Sequence, residues 1–259
     1  MAYVLGIDIG SSFSKAVVCK DKTLISYAIM PSGGNYKETA GKTTEMALEK
    51  AGLAVSDISY TIATGYGATM VDFADQSITD ISCHAVGVFH LFPSVRTLID
   101  IGAQFSKAIL LNDAGKVTNF VLNEKCAGGS GKFIQVIARI LHMNIEDIGD
   151  ISLKSEKPVE FTTGCAVFAE SEAVSRIAEG ALPADILAGV HKAMASKIIN
   201  LVVRLGLVGD CAITGGGAKD HGLVRAIETE LKTDVLIPDE PRITAAFGAA
   251  LLAAENSRK

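Results

Sequence analysis

The chain has 259 residues, of which 49% are apolar and 20% charged, a composition typical of a soluble globular protein with room for two modest domains. A formal net charge of −5 excludes a broad basic surface, so we predict neither nucleic acid nor an anionic membrane as a partner. The longest apolar run, residues 245–254, is ten residues long and too short to span a bilayer. Because no basic leader opens the chain, we expect a cytoplasmic protein.

A twelve-residue segment occurs twice in the chain. Residues 7–18 and 99–110 are identical at eight of twelve positions, at a fixed offset of 92. Alternating apolar residues bounded by turn residues predict three strands around each copy, at 3–9, 15–20 and 23–29 and at 95–101, 106–111 and 117–122. Two three-stranded meanders therefore open two related domains.

Apolar residues at helical spacing predict the helices that follow the meanders. They cover 43–51 with Gly52 as the stop, a segment from about 131, 167–179 ended by Gly180, a long stripe over 186–205, and 243–255. Two buried strands, 58–63 and 211–214, run into glycine-rich turns. We predict an α/β fold with one domain at 1–93 plus about 241–259 and a second at 94–240.

The repeated segment contains the pattern Asp-x-Gly-x-x-x-Ser-Lys, which suits phosphate binding. Its glycine permits a tight turn and a close approach of the backbone to a phosphate, and the amides and hydroxyls that follow donate to anionic oxygens. An aspartate at the strand end holds Mg²⁺ through water. The predicted contacts are Asp8, Gly10, Ser11, Ser12 and Lys15 in the first copy and Asp100, Gly102 and Ala103 in the second. Lys15 and Lys107 either touch phosphate or face water.

A third glycine-rich turn, Thr214-Gly215-Gly216-Gly217-Ala218-Lys219, follows a predicted strand. Its three glycines allow close packing against a flat adenine and its ribose, so Gly215, Gly216, Gly217 and Lys219 are predicted nucleotide contacts. The order of the three turns resembles the actin, hexokinase and Hsp70 type of ATPase, in the ribonuclease H-like superfamily. That resemblance implies duplicated actin-like domains with a cleft for ATP or ADP and Mg²⁺ between them.

The chain has five cysteines, an odd number that argues against a disulfide framework. Cys126 and Cys165 each come just before a predicted helix, where free amides and the helix dipole stabilise a thiolate. Two interpretations are open. Either these two cysteines bind no metal, or a two-fold dimer brings four of them together around an iron–sulfur cluster. Cys19 and Cys211 lie in predicted strands and are interpreted as buried packing residues. Cys83-His84 has no second pair at zinc spacing and is interpreted as a helix start.

Seven segments together resemble the ATP-dependent activators, or component A, of 2-hydroxyacyl-CoA dehydratases and the ATPase subunits of benzoyl-CoA reductase, the BadF/BadG/BcrA/BcrD type of ATPase. The segments are IDIGSSFSK, ATGYG, SCHA, DIGAQ, KCAGGSGKF, TTGCAVFAESE and TGGGAKD. The resemblance implies a homodimer, or a pair with a paralogous ATPase subunit, with one [4Fe-4S] cluster held by Cys126 and Cys165 of both chains. It also implies that ATP hydrolysis drives a low-potential electron, supplied by a ferredoxin or flavodoxin, into an acyl-CoA dehydratase or reductase.

The second phosphate turn departs from the family pattern. Where members often read Ile-Gly-Gly-Gln-Asp, this chain has Ile101-Gly102-Ala103-Gln104-Phe105. Gln104 is retained as the candidate that orients the attacking water, but the acidic residue is absent, so a homodimeric activator and one half of a mixed pair both stay open. Gly128 and Gly129, after Cys126, complete the predicted cofactor contacts.

The same fold also serves small-molecule kinases such as sugar kinases, which need an aspartate base and have no use for two helix-start cysteines. A chaperone-like binding module is disfavoured because no peptide-binding segment is left over. Glu170 and Glu172 resemble catalytic acids, but we interpret them as first-turn acids that complement a helix dipole.

Overall fold

The computed structural model describes residues 2–123, 127–161 and 166–257. The described strands are Tyr3–Ile9 (β1), Phe13–Lys20 (β2), Thr23–Pro31 (β3), Ile58–Thr64 (β4), Gln76–Ser77 (β5), Val95–Ile101 (β6), Ser106–Leu111 (β7), Val117–Asn123 (β8) and Asp210–Thr214 (β9). The described α-helices are Tyr36–Ala51 (α1), Asp80–Leu91 (α2), Gly131–Ile140 (α3), Ile148–Ser152 (α4), Ala166–Ala178 (α5), Pro183–Leu205 (α6), His221–Leu231 (α7) and Thr244–Asn256 (α8).

The chain divides into two compact units. The first comprises Met1–Val95, Leu111–Thr118 and Pro238–Lys259, and the second comprises Arg96–Leu110 and Asn119–Ile237. The predicted bounds of the two ATPase domains stay a prediction.

The first unit is built on a five-stranded mixed sheet in the order β3-β2-β1-β4-β5. Strand β1 pairs antiparallel with β2 and parallel with β4, so it lies at the centre of the sheet. Its alternate side chains enter different cores, Val4 on one face and Leu5 and Ile7 on the other. A strand that is buried on both faces reads as a nearly continuous apolar run, as β1 does.

Glycines set how closely the helices of the first unit approach its sheet and each other. A methyl group at Gly6 of β1 would collide with the carbonyl oxygen of Ala246 in α8. A methyl group at Gly248 would collide with the carbonyl oxygen of Cys83 in α2. Helices α2 and α8 therefore pack backbone against backbone on one face of the sheet, with α1 on the other.

The second unit has a four-stranded sheet in the order β8-β7-β6-β9. Its core is formed by β6, α3 and the long helix α6, with Ile99, Phe133 and Ile198 fully buried among them. Helix α6 has 23 residues, begins with Pro183 and ends before Gly206, consistent with the preference of proline for a first turn and of glycine for a helix end.

Helix α6 is, within the described residues, the one helix long and apolar enough to cross a membrane by length and composition. Of the most apolar stretch of this helix, 56% is buried inside the structure. A core helix of a soluble protein has these same features.

A buried polar network joins three helices of the second unit. The His191 ring accepts or donates at both nitrogens, with Nδ1 2.9 Å from Ser152 Oγ and Nε2 2.9 Å from Asp220 Oδ2. Asp220 also caps α7, because its other oxygen accepts from the Leu223 amide. The His191 side chain is only 2% exposed, so these bonds hold α4, α6 and the start of α7 together without competition from water.

The predicted α/β class and the six strands of the two meanders are confirmed, with ends that differ by at most two residues. Helix α1 begins at Tyr36 rather than at 43, because the Asn35 side chain caps it by accepting from the Glu38 amide at 3.3 Å. Helix α1 ends, as predicted, at Gly52, which adopts a left-handed conformation. The sequence patterns do not predict helices α4 and α7.

Candidate nucleotide site

The two copies of the repeated segment fold into the same tight turn, each within its own unit. The Gly10 amide donates to the Phe13 carbonyl at 3.1 Å, and the Gly102 amide donates to the Phe105 carbonyl at 2.9 Å. A methyl group at Gly10 would lie 2.7 Å from the Phe13 oxygen, and one at Gly102 would lie 2.9 Å from the Phe105 oxygen. Only glycine fits at either position without displacing the turn.

An aspartate–lysine pair lies beside each turn. Asp8 and Lys15 face each other across β1 and β2, with Oδ2 and Nζ 2.8 Å apart. Asp100 and Lys107 repeat this across β6 and β7, at 3.2 Å. The four side chains are between 5% and 14% exposed, so the alternative in which the lysines face water is wrong.

At the first turn, the pair brings a largely buried positive charge close to the glycine. The Lys15 ammonium lies 3.1 Å from the position that a methyl group at Gly10 would occupy. An anion bound by the turn amides would therefore also meet a cation held in place by its aspartate. Each aspartate lies beside the turn of its own unit, as the phosphate interpretation expects. The role of each in holding a metal stays a prediction.

The tips of the two turns are more accessible than their bases. Ser11, Ser12 and Ala103 are partly exposed, and Gln104 is exposed. The Ser12 carbonyl oxygen accepts a hydrogen bond from the Ser32 amide at 2.9 Å, and the Ala103 carbonyl oxygen accepts one from the Lys132 amide at 2.8 Å. Gln104 is therefore the most accessible of these four residues.

Each aspartate is in close contact with a glycine that follows a buried strand. Gly65 follows β4 with φ +88°, and a methyl group there would collide with Asp8 Oδ1. Gly215 follows β9 with φ +82°, and a methyl group there would lie 2.5 Å from Asp100 Oδ1. Both positions need glycine for conformation and for space.

The sequence reasoning assigned a role to Gly215 but none to Gly65. A second internal match carried the signal, because residues 64–68 and 214–218 share four of five residues at an offset of 150. The duplication therefore extends beyond the phosphate turns to the glycine turns that support them.

The predicted nucleoside contacts occupy a short 3₁₀ turn, Gly216–Lys219. Gly217 packs so tightly on Ile101 that a methyl group would collide with its side chain. Gly216 is exposed, and a methyl group there would meet no protein atom within 4 Å; Lys219 is also exposed. The structure thus leaves Gly216 and Lys219 accessible to a ligand while Gly215 and Gly217 shape the turn beneath them.

Gly128 and Gly129 are buried rather than exposed. Both lie in a 3₁₀ turn, Ala127–Gly129, and the Gly129 carbonyl accepts a hydrogen bond from the Ser106 hydroxyl. Their predicted contact with a cofactor stays a prediction. Cys126 and Cys165, the predicted cluster ligands, lie outside the described residues.

The other three cysteines are buried. Burial raises the pKa of the Cys19, Cys83 and Cys211 thiols to about 12, which leaves them protonated at neutral pH. Cys19 and Cys211 lie in strands as expected, and Cys83 lies in the first turn of α2. Over 2–123, 127–161 and 166–257, no group of three or more histidine, cysteine or acidic side chains forms a metal site.

The interpretation of Glu170 and Glu172 as first-turn acids is wrong. Helix α5 begins at Ala166 and has no acidic residue in its first turn. Glu172 instead lies 3.7 Å from Arg176, one turn further along the helix. Its side chain is therefore part of an i,i+4 ion pair.

The sheets, the duplicated phosphate turns and their supporting glycines define an actin-like ATPase fold. A crystal structure of component A of (R)-2-hydroxyglutaryl-CoA dehydratase from Acidaminococcus fermentans superposes with a TM-score of 0.97, at 37% identity over 100% of both chains. Residues 5–253 match the BadF/BadG/BcrA/BcrD ATPase family, and the chain belongs to that family. The resemblance drawn from the seven sequence segments is therefore confirmed.

Other relatives cover the chain almost completely. The activator of lactoyl-CoA dehydratase from Anaerotignum propionicum is 43% identical over 99% of both chains. The activator of 2-hydroxyisocaproyl-CoA dehydratase from Clostridium difficile, solved with bound ADPNP, has a TM-score of 0.95 at 38% identity, over 99% of this chain and 96% of that one. A benzoyl-CoA reductase subunit from Thauera aromatica is 32% identical over 100% of this chain and 95% of that one.

Proposed function

We propose that this member of the ATPase family is an iron–sulfur activator, which couples ATP hydrolysis to delivery of one low-potential electron to an acyl-CoA dehydratase or reductase. The observation that carries the proposal is the full-length similarity to dehydratase activators, at 43% identity for the lactoyl-CoA relative. The cysteines support it by elimination, because Cys19, Cys83 and Cys211 are buried in β2, α2 and β9, and among the described residues none of them belongs to a group of three metal-ligating side chains.

The donor set suits an iron–sulfur cluster shared between two copies of the chain. Cys126 and Cys165 are the other two cysteines, and each comes directly before a described turn or helix, Ala127–Gly129 and Ala166–Ala178. Two thiolates from each chain of a homodimer supply the four that a [4Fe-4S] cluster takes. When bound, that cluster supplies a one-electron store at low potential.

ATP is bound through the duplicated turns in this proposal. The amides after Gly10 and Gly102 donate to the phosphate oxygens, with Lys15 and Lys107 as fixed positive charges behind them. Asp8 and Asp100 hold Mg²⁺ through water, Gln104 orients the attacking water, and the turn from Gly215 to Lys219 receives the nucleoside. Catalysis then consists mainly of positioning and charge stabilisation.

A second candidate is the ATPase subunit of a benzoyl-CoA reductase type of complex. The 32% identity to the benzoyl-CoA reductase subunit of Thauera aromatica favours it, and Phe105 at the acidic position of the second turn is compatible with one half of a mixed pair. The sugar-kinase alternative has no observation in its favour.

The test is ATP-dependent reduction of an acceptor. Anaerobically purified protein is reduced with a ferredoxin or flavodoxin and mixed with an acyl-CoA dehydratase, with ATP, with ADP or with no nucleotide. The proposal predicts reduction of the dehydratase with ATP alone, in step with phosphate release. ATP hydrolysis with no electron transfer to the dehydratase or to a benzoyl-CoA reductase core would contradict it. Transfer only to the reductase core, in the presence of a paralogous subunit, selects the second candidate.

A further inference from the structure

Three hydrogen bonds join the second phosphate turn to the segment that follows Cys126. The Gly131 amide donates to the Gly102 carbonyl at 2.9 Å, and the Lys132 amide donates to the Ala103 carbonyl at 2.8 Å. The Ser106 hydroxyl, on the strand that leaves the turn, donates to the Gly129 carbonyl. All of these residues belong to the second unit.

The bond from Ser106 to Gly129 is protected from water, whereas the Gly131 and Lys132 bonds join partly exposed or exposed residues. Ser106 and Ser130 are completely buried, and Gly129 is buried between them and α6. The Gly131 and Lys132 amides are the first two of α3, and the first amides of a helix have no partner within the helix. The turn carbonyls fill that need and join the turn to the start of α3. Loss of the Ser106 bond would remove a partner from the buried Gly129 carbonyl, which carries a desolvation cost.

In the first unit, equivalent hydrogen bonds join the turn to a different segment, the one that follows β3. Ser14, which matches Ser106 at the offset of 92, bonds to Ser32 Oγ at 2.8 Å. Ser32 Oγ donates to the Gly10 carbonyl at 2.6 Å, and its amide donates to the Ser12 carbonyl at 2.9 Å. The segment after β3 is thereby fixed to the first turn, but it leads to α1 and contains no cysteine.

We propose that Ser106 is a positioning residue that makes the Cys126 position respond to the nucleotide at the second turn. The proposal rests on the proposed function for the role of Cys126. Phosphate oxygens that draw the turn amides also move the carbonyls of the same peptide units. The buried Ser106 bond carries that movement to Gly129, three residues after Cys126, while Ser14 passes the matching movement to a segment without ligands.

The experiment measures the reactivity of the Cys126 thiol in cluster-free protein. The rate of maleimide labelling at Cys126 is followed by peptide mass spectrometry, with and without Mg²⁺ and ADPNP, for the unmodified protein, Ser106→Ala and Ser14→Ala. Nucleotide affinity is measured for each by calorimetry. Labelling does not depend on electron transfer, so the result can be read even if the chain holds no iron.

We expect ADPNP to change the labelling rate of the unmodified protein and of Ser14→Ala by the same factor. In Ser106→Ala that factor should fall by about two- to twelvefold, the range for one hydrogen bond, with ADPNP affinity unchanged within about threefold. Gly131→Pro is the second variant, because proline has no amide to donate and its ring enters the space of the Gly102 carbonyl, so it should lose the labelling response at least as fully as Ser106→Ala does.

A full nucleotide response in Ser106→Ala and Gly131→Pro would overturn the proposal, and so would an equal loss in Ser14→Ala or no response in the unmodified protein. Iron content of the same variants, purified anaerobically, separates the two claims. Normal iron with a full labelling response refutes the role of Ser106 alone, whereas absence of iron from every protein refutes the proposed function.

Discussion

Replacing Lys107 by Met should destabilise the second unit more than the matching change destabilises the first. The Lys107 ammonium lies 3.2 Å from Asp100, and the two side chains are 10% and 5% exposed. At an effective dielectric constant of about 20, unit charges at this distance attract by about 5 kcal/mol before the cost of desolvation. Methionine keeps the length of the side chain and removes the charge, so packing is largely preserved.

The net loss is smaller than the gross attraction, because solvation of the charges in the unfolded chain offsets part of it. Removing one partner of a buried pair costs roughly 3–5 kcal/mol, and the residual exposure of this pair places Lys107→Met near 3 kcal/mol. Lys15→Met should cost about 2 kcal/mol, because the Asp8–Lys15 pair is more exposed, at 9% and 14%. The exposed Lys42–Glu38 pair in α1 is the control, and Lys42→Met should cost no more than about 0.5 kcal/mol.

The assay is urea unfolding followed by circular dichroism, with Asp100→Asn and the double variant Asp100→Asn/Lys107→Met completing a double-mutant cycle. The two changes should be non-additive by about 2 kcal/mol, with the double variant less destabilised than the sum. Additivity within about 0.5 kcal/mol, or equal stability of Lys107→Met and Lys42→Met, would refute the reasoning that the pair is a buried, mutually dependent element of the turn.

Three further outcomes follow from the same geometry. Gly215→Ala should destabilise the protein by at least about 2 kcal/mol and weaken ADPNP binding in calorimetry, whereas Gly33→Ala, also at positive φ but in open space, should cost only about 1 kcal/mol; equal costs would contradict the close approach to Asp100. His191→Ala should cost about 2–4 kcal/mol in urea unfolding, because two buried partners lose their bonds, while His221→Ala, whose side chain is 71% exposed, should stay within about 0.5 kcal/mol. Asp100→Asn should lower the rate of phosphate release by about a hundredfold or more, and a normal rate would refute its role in the site.

The duplicated segments were predictable because their pattern is local. Strand alternation, the tight glycine turn and the repeat at offset 92 are all visible in a dozen residues, and the structure has both meanders where the pattern predicts them. The lysines were ambiguous for a physical reason. Only the cross-strand register, Asp8 opposite Lys15 and Asp100 opposite Lys107, tells a buried ion pair from two hairpin lysines in water.

The misassigned helices are those whose signals are polar. The first turns of α1 contain Thr39 and Thr43, whose hydroxyls donate to carbonyls of the preceding turn. These buried positions are polar in the sequence, so they interrupt the apolar pattern of the helix. The start of α7 is fixed by the Asp220 cap and the buried His191 behind it. The threonine and cap bonds are local but polar, so apolar periodicity does not report them. The His191–Asp220 contact joins residues 29 positions apart, which periodicity does not reveal either.

The surroundings of the second unit's glycine-rich segment depend on tertiary contacts. The sequence predicts Gly128 and Gly129 as cofactor contacts, and that stays a prediction. It does not reveal the bond from the Ser106 hydroxyl to the Gly129 carbonyl, which joins this segment to the strand after the second turn. A contact between residues 23 positions apart is not encoded in the spacing of either motif.

Iron and acid-labile sulfide in anaerobically purified protein test the central claim most directly. Unmodified protein and the control Cys83→Ser, whose thiol is buried in α2, should each hold about four irons per two chains. Cys126→Ser and Cys165→Ser should each lose the iron, because two-fold symmetry removes two of four thiolates at once and a hydroxyl is a poor replacement for a soft thiolate. A Cys126→Ser protein that keeps its full iron content, or a folded Cys83→Ser protein that loses it, would contradict the account.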